Sequence, residues 1–228
     1  MTRVYVVLIA LLVGPQCLLA QEKALPPKIV SSWEMVHGVH AGWLGPRKGI
    51  TSLQMIFAVD KRVERENLDL ARSVPSFFIA EWKPGLLDGL PGPEQPFGLV
   101  LARKSSDEQI KELASLKQFK HLIALDLTYS GITDKGMKEL ARFERLKALK
   151  LRNVSAVTQA GITELAGLKE LSVLELQYTK VNDLWLNDLG KLKQLRTLDL
   201  WQTQVTDAGA AGLRMALPQC KIIHEHKK

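Results

Sequence analysis

Four consecutive stretches of sequence decide the fold of this chain. They are LIALDLTYSGITDKGMKELARFE at 122–144, LKALKLRNVSAVTQAGITELAGLKE at 146–170, LSVLELQYTKVNDLWLNDLGKLKQ at 171–194 and LRTLDLWQTQVTDAGAAGLRMALP at 195–218. Each begins with Leu-x-x-Leu-x-Leu, and the second leucines, Leu125, Leu149, Leu174 and Leu198, are 24, 25 and 24 residues apart. The sequence from Leu122 to Ile222 is therefore an internal repeat with a period of about two dozen residues.

Each repeat changes from a strand pattern to a helix pattern. Leu125 and Leu127 flank Asp126, an alternation typical of a strand with one buried face. After a short turn comes a residue whose side-chain oxygen is suited to capping a helix. These residues are Thr133, Thr158, Asn182 and Thr206. The motif and its period predict an α/β fold, a leucine-rich repeat solenoid of right-handed β-α coils with a parallel, concave sheet.

The last repeat carries two motifs, TQVTDAG at 203–209 and ALPQCKI at 216–222. They resemble the T-x-V-T-D-A-G-L repeats and the A-L-P-x-C-x-I end cap of secreted bacterial leucine-rich repeat proteins of the planctomycete kind. The resemblance covers roughly residues 84–223 and implies an interaction module. The chain departs from the pattern at Val154, which replaces Thr or Ser, and at Trp185, which replaces glycine.

The N-terminus has the pattern of a signal peptide. The run from Val4 to Val13 is apolar, too short to span a bilayer, and suited to the core of a signal sequence cleaved after Ala20. A buried N-terminal helix is the alternative, and the residues before Cys17 lack the small side chains that lipid attachment requires. We therefore expect residues 1–20 to be removed from an exported protein, periplasmic or secreted.

The charge and cysteine content of the chain argue against a nucleic-acid site and against a disulfide. The chain has a formal net charge of +7, and loss of residues 1–20 removes Arg3 alone and leaves 30 basic and 24 acidic residues. Its lysines fall mainly on the predicted helices without interleaved aromatic residues, so we expect a solvated surface and no nucleic-acid site. No long apolar span follows residue 20. Cys220 is then the only cysteine, which excludes an intramolecular disulfide.

The remaining segments are assigned from their position relative to the repeats. A solenoid needs a cap, because an apolar flank and an unpaired strand edge would otherwise face water. We expect a linker at 21–30, an N-terminal cap with a degenerate repeat at 31–96, repeats with a C-terminal cap at 97–223 and a polar tail at 224–228. Inside the cap, 52–59 and 77–79 are predicted strands and 82–87 resembles the start of a repeat helix.

The predicted geometry places two rows of side chains on the concave face. Equivalent positions of neighbouring repeats should lie about 4.8 Å apart. The first row is Val100, Asp126, Lys150, Glu175 and Asp199, and the second is Ala102, Thr128, Arg152, Gln177 and Trp201. We expect Lys150 to form exposed ion pairs with Asp126 and Glu175, each worth less than about 1 kcal/mol.

Asp199 is left beside Glu175, and like charges next to an exposed indole are unfavourable for stability alone. Large aromatic side chains beside charges are typical of binding faces. The candidate ligand-binding residues are therefore Arg152, Glu175, Tyr178, Asp199 and Trp201. The alternative is a solvated end of the sheet, with Trp201 covered by C-terminal residues.

No catalytic, cofactor or metal site is expected. Glu175 and Asp199 are close enough to act as a carboxylate pair, but an open face offers no pocket that would raise the pKa of one of them. Cys220, His224 and His226 could ligate a metal, but a buried cap thiol and a frayed polar tail account for the same residues, and we expect no metal site. The sequence has no phosphate-binding loop.

Two classes of function remain after these exclusions. The first is a non-catalytic module that recognises a protein partner through the concave face. The second is a glycan-binding module in which Trp201 and Tyr178 stack on sugar rings while Glu175 and Asp199 accept hydroxyl hydrogen bonds. Neither class needs a cofactor, and the sequence does not predict an oligomeric state.

Overall fold

The computed structural model describes residues 25–46, 55–59, 74–101, 103 and 105–224. These residues form one nine-stranded sheet. Its strands are β1 (Val39–Pro46), β2 (Met55–Val59), β3 (Val74–Ile79), β4 (Phe97–Leu101), β5 (Leu122–Asp126), β6 (Ala148–Lys150), β7 (Val173–Glu175), β8 (Thr197–Asp199) and β9 (Lys221–Ile223).

The strand order follows the chain except at one edge, where it reads β2-β1-β3-β4 and then continues in sequence to β9. Every neighbouring pair from β3 to β9 is parallel. Strand β1 is antiparallel to both β2 and β3. The repeats therefore stack as predicted, and the chain is an α/β leucine-rich repeat solenoid.

The helices lie on one side of the sheet; the first precedes β1, and the others connect successive strands from β4 to β9. They are α1 (Pro27–Glu34), α2 (Asp107–Ser115), α3 (Asp134–Leu140), α4 (Gln159–Glu164), α5 (Leu186–Leu189) and α6 (Asp207–Ala216), with short 3-10 turns at Lys117–Phe119, Leu165–Gly167 and Asp183–Trp185. All four predicted capping residues accept a hydrogen bond from a backbone amide of the turn that follows. The turn after Asn182 is a 3-10 turn that continues into α5.

One apolar core runs the length of the array between the sheet and the helices. The repeated leucines Leu125, Leu149, Leu174 and Leu198 are each at most 1% exposed and belong to it. Since side chains alternate along a strand, the residues between these leucines point to the opposite face of the sheet. We call that opposite face the concave face.

Neighbouring coils are also tied together at the starts of their helices. Asp134 Oδ1 accepts a hydrogen bond from the backbone amide of Thr158 at 2.8 Å, and Asp134 Oδ2 accepts one from the Thr158 hydroxyl at 2.6 Å. The same two bonds join Asp107 to Thr133 and Asp183 to Thr206. We call each Asp-Thr pair an inter-repeat clasp.

The N-terminal cap shares the core of the repeats. Trp33 on α1 is fully buried, stacks on Phe77 of β3 with ring centroids 4.0 Å apart and meets the Phe119 ring edge-on at 5.6 Å. Its indole nitrogen donates a hydrogen bond to the carbonyl of Pro91 at 2.9 Å. The cap therefore covers the first coil with aromatic side chains, so the apolar flank of that coil does not face water.

The structure corrects three of the sequence predictions. The expected linker at 21–30 already contains the start of α1 at Pro27, because Leu25 and Trp33 anchor this segment in the core. Residues 82–87 contain no helix start, and the run of turns in this segment spans residues 84–89. His224 is not part of a frayed tail: its side chain is 4% exposed, and its Nε2 lies 2.8 Å from the Val205 carbonyl oxygen. The predicted signal peptide at 1–20 and the positions of Ala102 and His226 lie outside the described residues.

Candidate functional site

The register of the strands aligns the predicted first row. Val100 pairs with Asp126, Asp126 with Lys150, Lys150 with Glu175, and Glu175 with Asp199. The predicted alignment is therefore confirmed at every step. It sets the four charged residues of the middle repeats side by side on the concave face.

Apolar side chains flank this charged row on the same face. Leu44, Val100 and Ala124 form a second buried cluster, separate from the main core, against which Phe78 packs. At the other end the row continues from Asp199 to Ile223. The concave face is therefore charged in its middle and apolar towards both ends.

The ion pair between Asp126 and Lys150 is formed but is not exposed. Lys150 Nζ lies 3.1 Å from Asp126 Oδ2, and the two side chains are 12% and 7% exposed. Asp126 Oδ1 also accepts a hydrogen bond from the backbone amide of Thr128 at 2.9 Å. The expectation of an exposed pair is wrong, because flanking strands about 4.8 Å away on each side leave little open area around a first-row side chain. The pairing of Lys150 with Glu175 stays a prediction.

Asp199 and Glu175 are also buried, each 1% exposed. Asp199 Oδ2 accepts a hydrogen bond from Gln177 Nε2 at 2.8 Å, and Asp199 Oδ1 accepts one from the backbone amide of Trp201 at 2.9 Å. Asp199 does lie beside Glu175, as expected, but the expectation that it is left without a partner is wrong, since its side chain turns along the sheet towards two donors. Its carboxylate stabilises the end of β8.

The residue that follows the second row adopts the same unusual backbone conformation in all four repeats. Tyr129, Asn153, Tyr178 and Gln202 have φ values of 61°, 57°, 57° and 56°. Asparagine adopts this left-handed region readily, whereas a bulky residue adopts it at a cost of about 1–2 kcal/mol. The two tyrosines are nevertheless 41% and 38% exposed, so burial of their rings does not explain why tyrosine occupies these two positions.

Three of the predicted site residues come together at this rim of the sheet. The guanidinium carbon of Arg152 lies 4.9 Å from the centre of the Tyr178 ring, and Tyr178 meets Trp201 edge-on with centroids 4.9 Å apart. Cation-π and edge-to-face contacts of this kind hold the side chains in fixed orientations. We call Arg152, Tyr178 and Trp201 the rim cluster. The other two predicted site residues, Glu175 and Asp199, lie buried in the adjacent row.

A second arginine-tyrosine pair lies further along the same rim. The guanidinium carbon of Arg103 is 4.4 Å from the centre of the Tyr129 ring. Arg103 also lines a cavity of about 350 Å³, together with Trp82, Lys83, Ser105 and Gln109. Sequence reasoning missed this pair, although the alignment of Ala102 with Thr128 already places Arg103 and Tyr129 in one column. The alignment does not show that the guanidinium group of one contacts the ring of the other.

The burial of the acids limits what this face can do chemically. At 1% exposure, Glu175 and Asp199 cannot contact a ligand on the surface in this conformation. The exposed groups are aromatic rings and guanidinium groups, which bind apolar and anionic surfaces.

Among the described residues, no group of three or more His, Cys, Asp or Glu side chains is placed to hold a metal ion. In the same part of the chain, no helix has the length and apolar character needed to cross a bilayer.

Comparison with known proteins supports the fold. A family model described as Leucine Rich repeat matches residues 120–141, which is one coil of the array. No curated protein matches the chain significantly.

Solved structures of bacterial leucine-rich repeat proteins are similar to part of the chain. Internalin C2 of Listeria monocytogenes is 23% identical, with a TM-score of 0.45, over 63% of this chain and 66% of that one. Internalin InlF of the same organism is 18% identical with a TM-score of 0.37, over 58% and 41% of the two chains. A leucine-rich repeat protein of Leptospira interrogans is 23% identical with a TM-score of 0.41, over 63% and 34%. The chain thus spans less than two thirds of each of these proteins, and the likeness concerns the fold alone.

Proposed function

We propose that this chain is an exported, non-catalytic module that binds a protein partner through its concave face, with the rim cluster and the Arg103–Tyr129 pair as the main contacts. The observation that carries the proposal is the placement of Tyr129 and Tyr178 at positive φ with exposed rings. Asn153 occupies the same position in the repeat between them, so the fold itself does not require tyrosine there. Strain held at an exposed position is typical of functional sites.

The side chains at the rim are those that dominate protein interfaces. Trp, Tyr and Arg are enriched among the residues whose truncation costs the most binding energy, and charged residues are depleted at interface centres. The rim presents two exposed tyrosines, each in contact with an arginine. The buried acids of the first row contribute to the rigidity of the face instead of to contact with a ligand.

A glycan-binding role gains no support from this arrangement. It needs Glu175 and Asp199 as hydroxyl acceptors, and both carboxylates are buried. Catalysis by the same two residues would also need access to a substrate. Glycan binding therefore enters only as an outcome of the test.

The proposal is tested with two variants that copy the asparagine repeat, Tyr129→Asn and Tyr178→Asn. Each should leave the fold intact, because the lower cost of positive φ for asparagine, up to about 1 kcal/mol, offsets the lost ring contacts of about the same size. The wild-type chain lacking residues 1–20 is immobilised and used to capture a stoichiometric partner from the producing cells. Capture is then repeated with the double Tyr→Asn variant and with Met215→Ala, which removes an exposed apolar side chain on α6, 85% exposed and remote from the rim.

The proposal expects capture by the wild type and by Met215→Ala and loss of capture by the double variant. Capture that is unaffected by the tyrosine substitutions would place the interface elsewhere on the molecule. Glycan-array binding lost on Trp201→Ala, without any stoichiometric protein partner, would replace the proposal with the glycan alternative.

Export is supported by the apolar run from Val4 to Val13 and the small residue at Ala20. Residues 1–24 fused to an alkaline phosphatase that folds only under oxidising conditions should give an active reporter outside the cytoplasm. Replacement of Leu8 and Leu11 by Asp should abolish the activity, because charge interrupts the apolar core of a signal sequence. An inactive wild-type fusion would contradict export.

A further inference from the structure

Arg103 and Arg152 are held at the rim by aromatic rings, and neither has a charge partner among the described residues. Their guanidinium carbons lie 4.4 Å and 4.9 Å from the centres of the Tyr129 and Tyr178 rings. Neither forms an ion pair with a carboxylate of the described residues. The Nε atom of Arg152 is buried and has no hydrogen-bond partner among the described residues, which costs free energy.

Two of the three first-row acids are engaged within the sheet. Asp126 is paired with Lys150, and Asp199 accepts hydrogen bonds from Gln177 and from the amide of Trp201. These carboxylates lie within the first row and are buried. The two guanidinium groups are therefore fixed in position while their charge remains available to a ligand.

The cavity beside Arg103 adds to the positive charge of this rim. Its lining includes two exposed basic side chains, Lys83 and Arg103, and one exposed acidic side chain, Glu81. Ser105 and Gln109 supply further hydrogen-bonding groups to the same lining. A negatively charged group entering the cavity would meet two cations, one acid, and a lining that is partly polar and partly apolar.

The spacing of the two arginines limits the shape of the ligand. Arg103 follows β4 and Arg152 follows β6, so two strand steps, or about 9.6 Å, separate their positions along the sheet. In a polyproline-type extended peptide, residues three apart lie on the same side and about 9.3 Å apart. Carboxylates at such an interval fit the two guanidinium groups.

We infer that the partner contacts this rim with an acidic, extended segment in which two carboxylates three residues apart bind Arg103 and Arg152. The inference rests on the proposed function and specifies the chemistry of the partner. Guanidinium groups bind carboxylates through paired, charge-assisted hydrogen bonds. Stacking on tyrosine pre-orients the side chains, so less conformational freedom is lost on binding.

The test uses defined peptides, so it does not depend on finding the natural partner. Binding of acetyl-Pro-Glu-Pro-Pro-Glu-Pro-amide to the chain lacking residues 1–20 is measured by NMR titration, beside the same peptide with both Glu changed to Gln. The acidic peptide should bind, and Arg103→Ala and Arg152→Ala should each raise its Kd about tenfold. Arg214→Ala, on the exposed side of α6, makes the same change in net charge and should raise the Kd less than twofold.

Equal binding of the Glu and Gln peptides would overturn the inference, and so would an equal loss in Arg152→Ala and Arg214→Ala. A sulfated heparin oligosaccharide that binds through both arginines while the acidic peptide does not would overturn it in favour of a sulfated ligand. If partner capture still depends on Tyr129 and Tyr178 but the acidic peptide does not bind, the proposed function stands and this inference alone fails.

Discussion

Gln159 and Trp185 replace two residues that contact each other across neighbouring repeats elsewhere in the array. Gln159 stands where the other repeats have the aspartate of an inter-repeat clasp, and Trp185 stands where the next repeat has the glycine packed against that aspartate. A Cβ at Gly136 would lie 2.5 Å from Asp107 Oδ1, and a Cβ at Gly161 or Gly209 would collide in the same way with Asp134 or Asp183. Gln159 brings no carboxylate to this position and instead donates a hydrogen bond to Asp188 at 2.7 Å. The absence of the clasp explains how Trp185 can replace glycine in one repeat only.

The clasp makes Gly161 intolerant of a side chain. In Gly161→Ala the new Cβ would collide with Asp134 and lie 2.9 Å from Val157 and 3.0 Å from Met137, so the free energy of unfolding should fall by about 1–3 kcal/mol. Urea denaturation measures the loss. Gly212→Ala is the matched control, because a Cβ there meets nothing within 4 Å, and it should be neutral or slightly stabilising.

A double-mutant cycle separates the clasp from general crowding. Asp134→Ala loses the clasp, and in that background Gly161→Ala should cost less than it does alone, because one of its three collisions is gone. Strictly additive effects of the two substitutions would show that the carboxylate does not impose the glycine.

The clasp of Asp183 should make stability depend on pH. Hydrogen bonds from the side chain and the backbone amide of Thr206 lower the pKa of the Asp183 carboxyl. As pH falls, the Asp183 carboxyl of the unfolded chain is therefore protonated before that of the folded chain. The stabilisation by the ionised Asp183 carboxylate is fully present above about pH 4 and is lost at lower pH. Asp183→Asn should lower the free energy of unfolding by up to about 1 kcal/mol at pH 6, a small loss because the carboxylate is exposed. The difference in this free energy between the variant and the wild type should shrink towards pH 3.

Urea unfolding at pH 6, 4 and 3 measures this dependence. Glu144→Gln is the control, since Glu144 is exposed and has no hydrogen-bond partner among the described residues. A difference between wild type and Asp183→Asn that stays constant over this range would contradict the assignment.

The N-terminal cap should contribute to the stability of the whole array. Trp33→Ala removes a fully buried ring stacked on Phe77 and should lower the free energy of unfolding by about 3–5 kcal/mol. Met35→Ala, at a position 87% exposed, should have almost no effect. If Trp33→Ala unfolds only the cap, and the repeats melt as in wild type, the shared core is not cooperative.

The repeats were predictable from the sequence because each structural role recurs at a fixed interval. The leucine positions gave the core and the register, and Thr or Asn gave the helix starts. The cap was less predictable, since α1 is anchored by Trp33 through contacts with residues far along the chain, such as Phe119, and no local pattern indicates them.

The candidate site was predicted only in part for a similar reason. Strand alternation placed Asp199 and Glu175 on the concave face but gave no measure of how closely the neighbouring side chains surround them. The positive φ of Tyr129 and Tyr178 was also hidden, because tyrosine is not a residue that signals this conformation. The contact of Arg152 with Tyr178, one strand over and one residue further along, depends on side-chain rotamers that a repeat alignment does not contain.

The thiol of Cys220 should react slowly in the folded protein. Burial in the C-terminal cap raises its pKa to about 11, whereas an unfolded thiol has a pKa of about 8.5. Because the thiolate is the reactive form, the reactive fraction at pH 8 falls by about two orders of magnitude, and burial restricts access further. The measurement is the rate of iodoacetamide alkylation at pH 8 in a chain with Cys17→Ser, which leaves Cys220 as the only thiol.

Alkylation in concentrated urea supplies the reference rate for the same thiol when it is exposed. The native rate should be at least about a hundredfold lower and should rise between pH 9 and 11, as the folded thiol begins to ionise. Arg196, whose charge favours the thiolate, offers a further check: Arg196→Ala should slow the native reaction and leave the rate in urea unchanged. A native rate within tenfold of the unfolded one would show that the thiol is open to solvent, and the C-terminal cap would then not close the last coil as described.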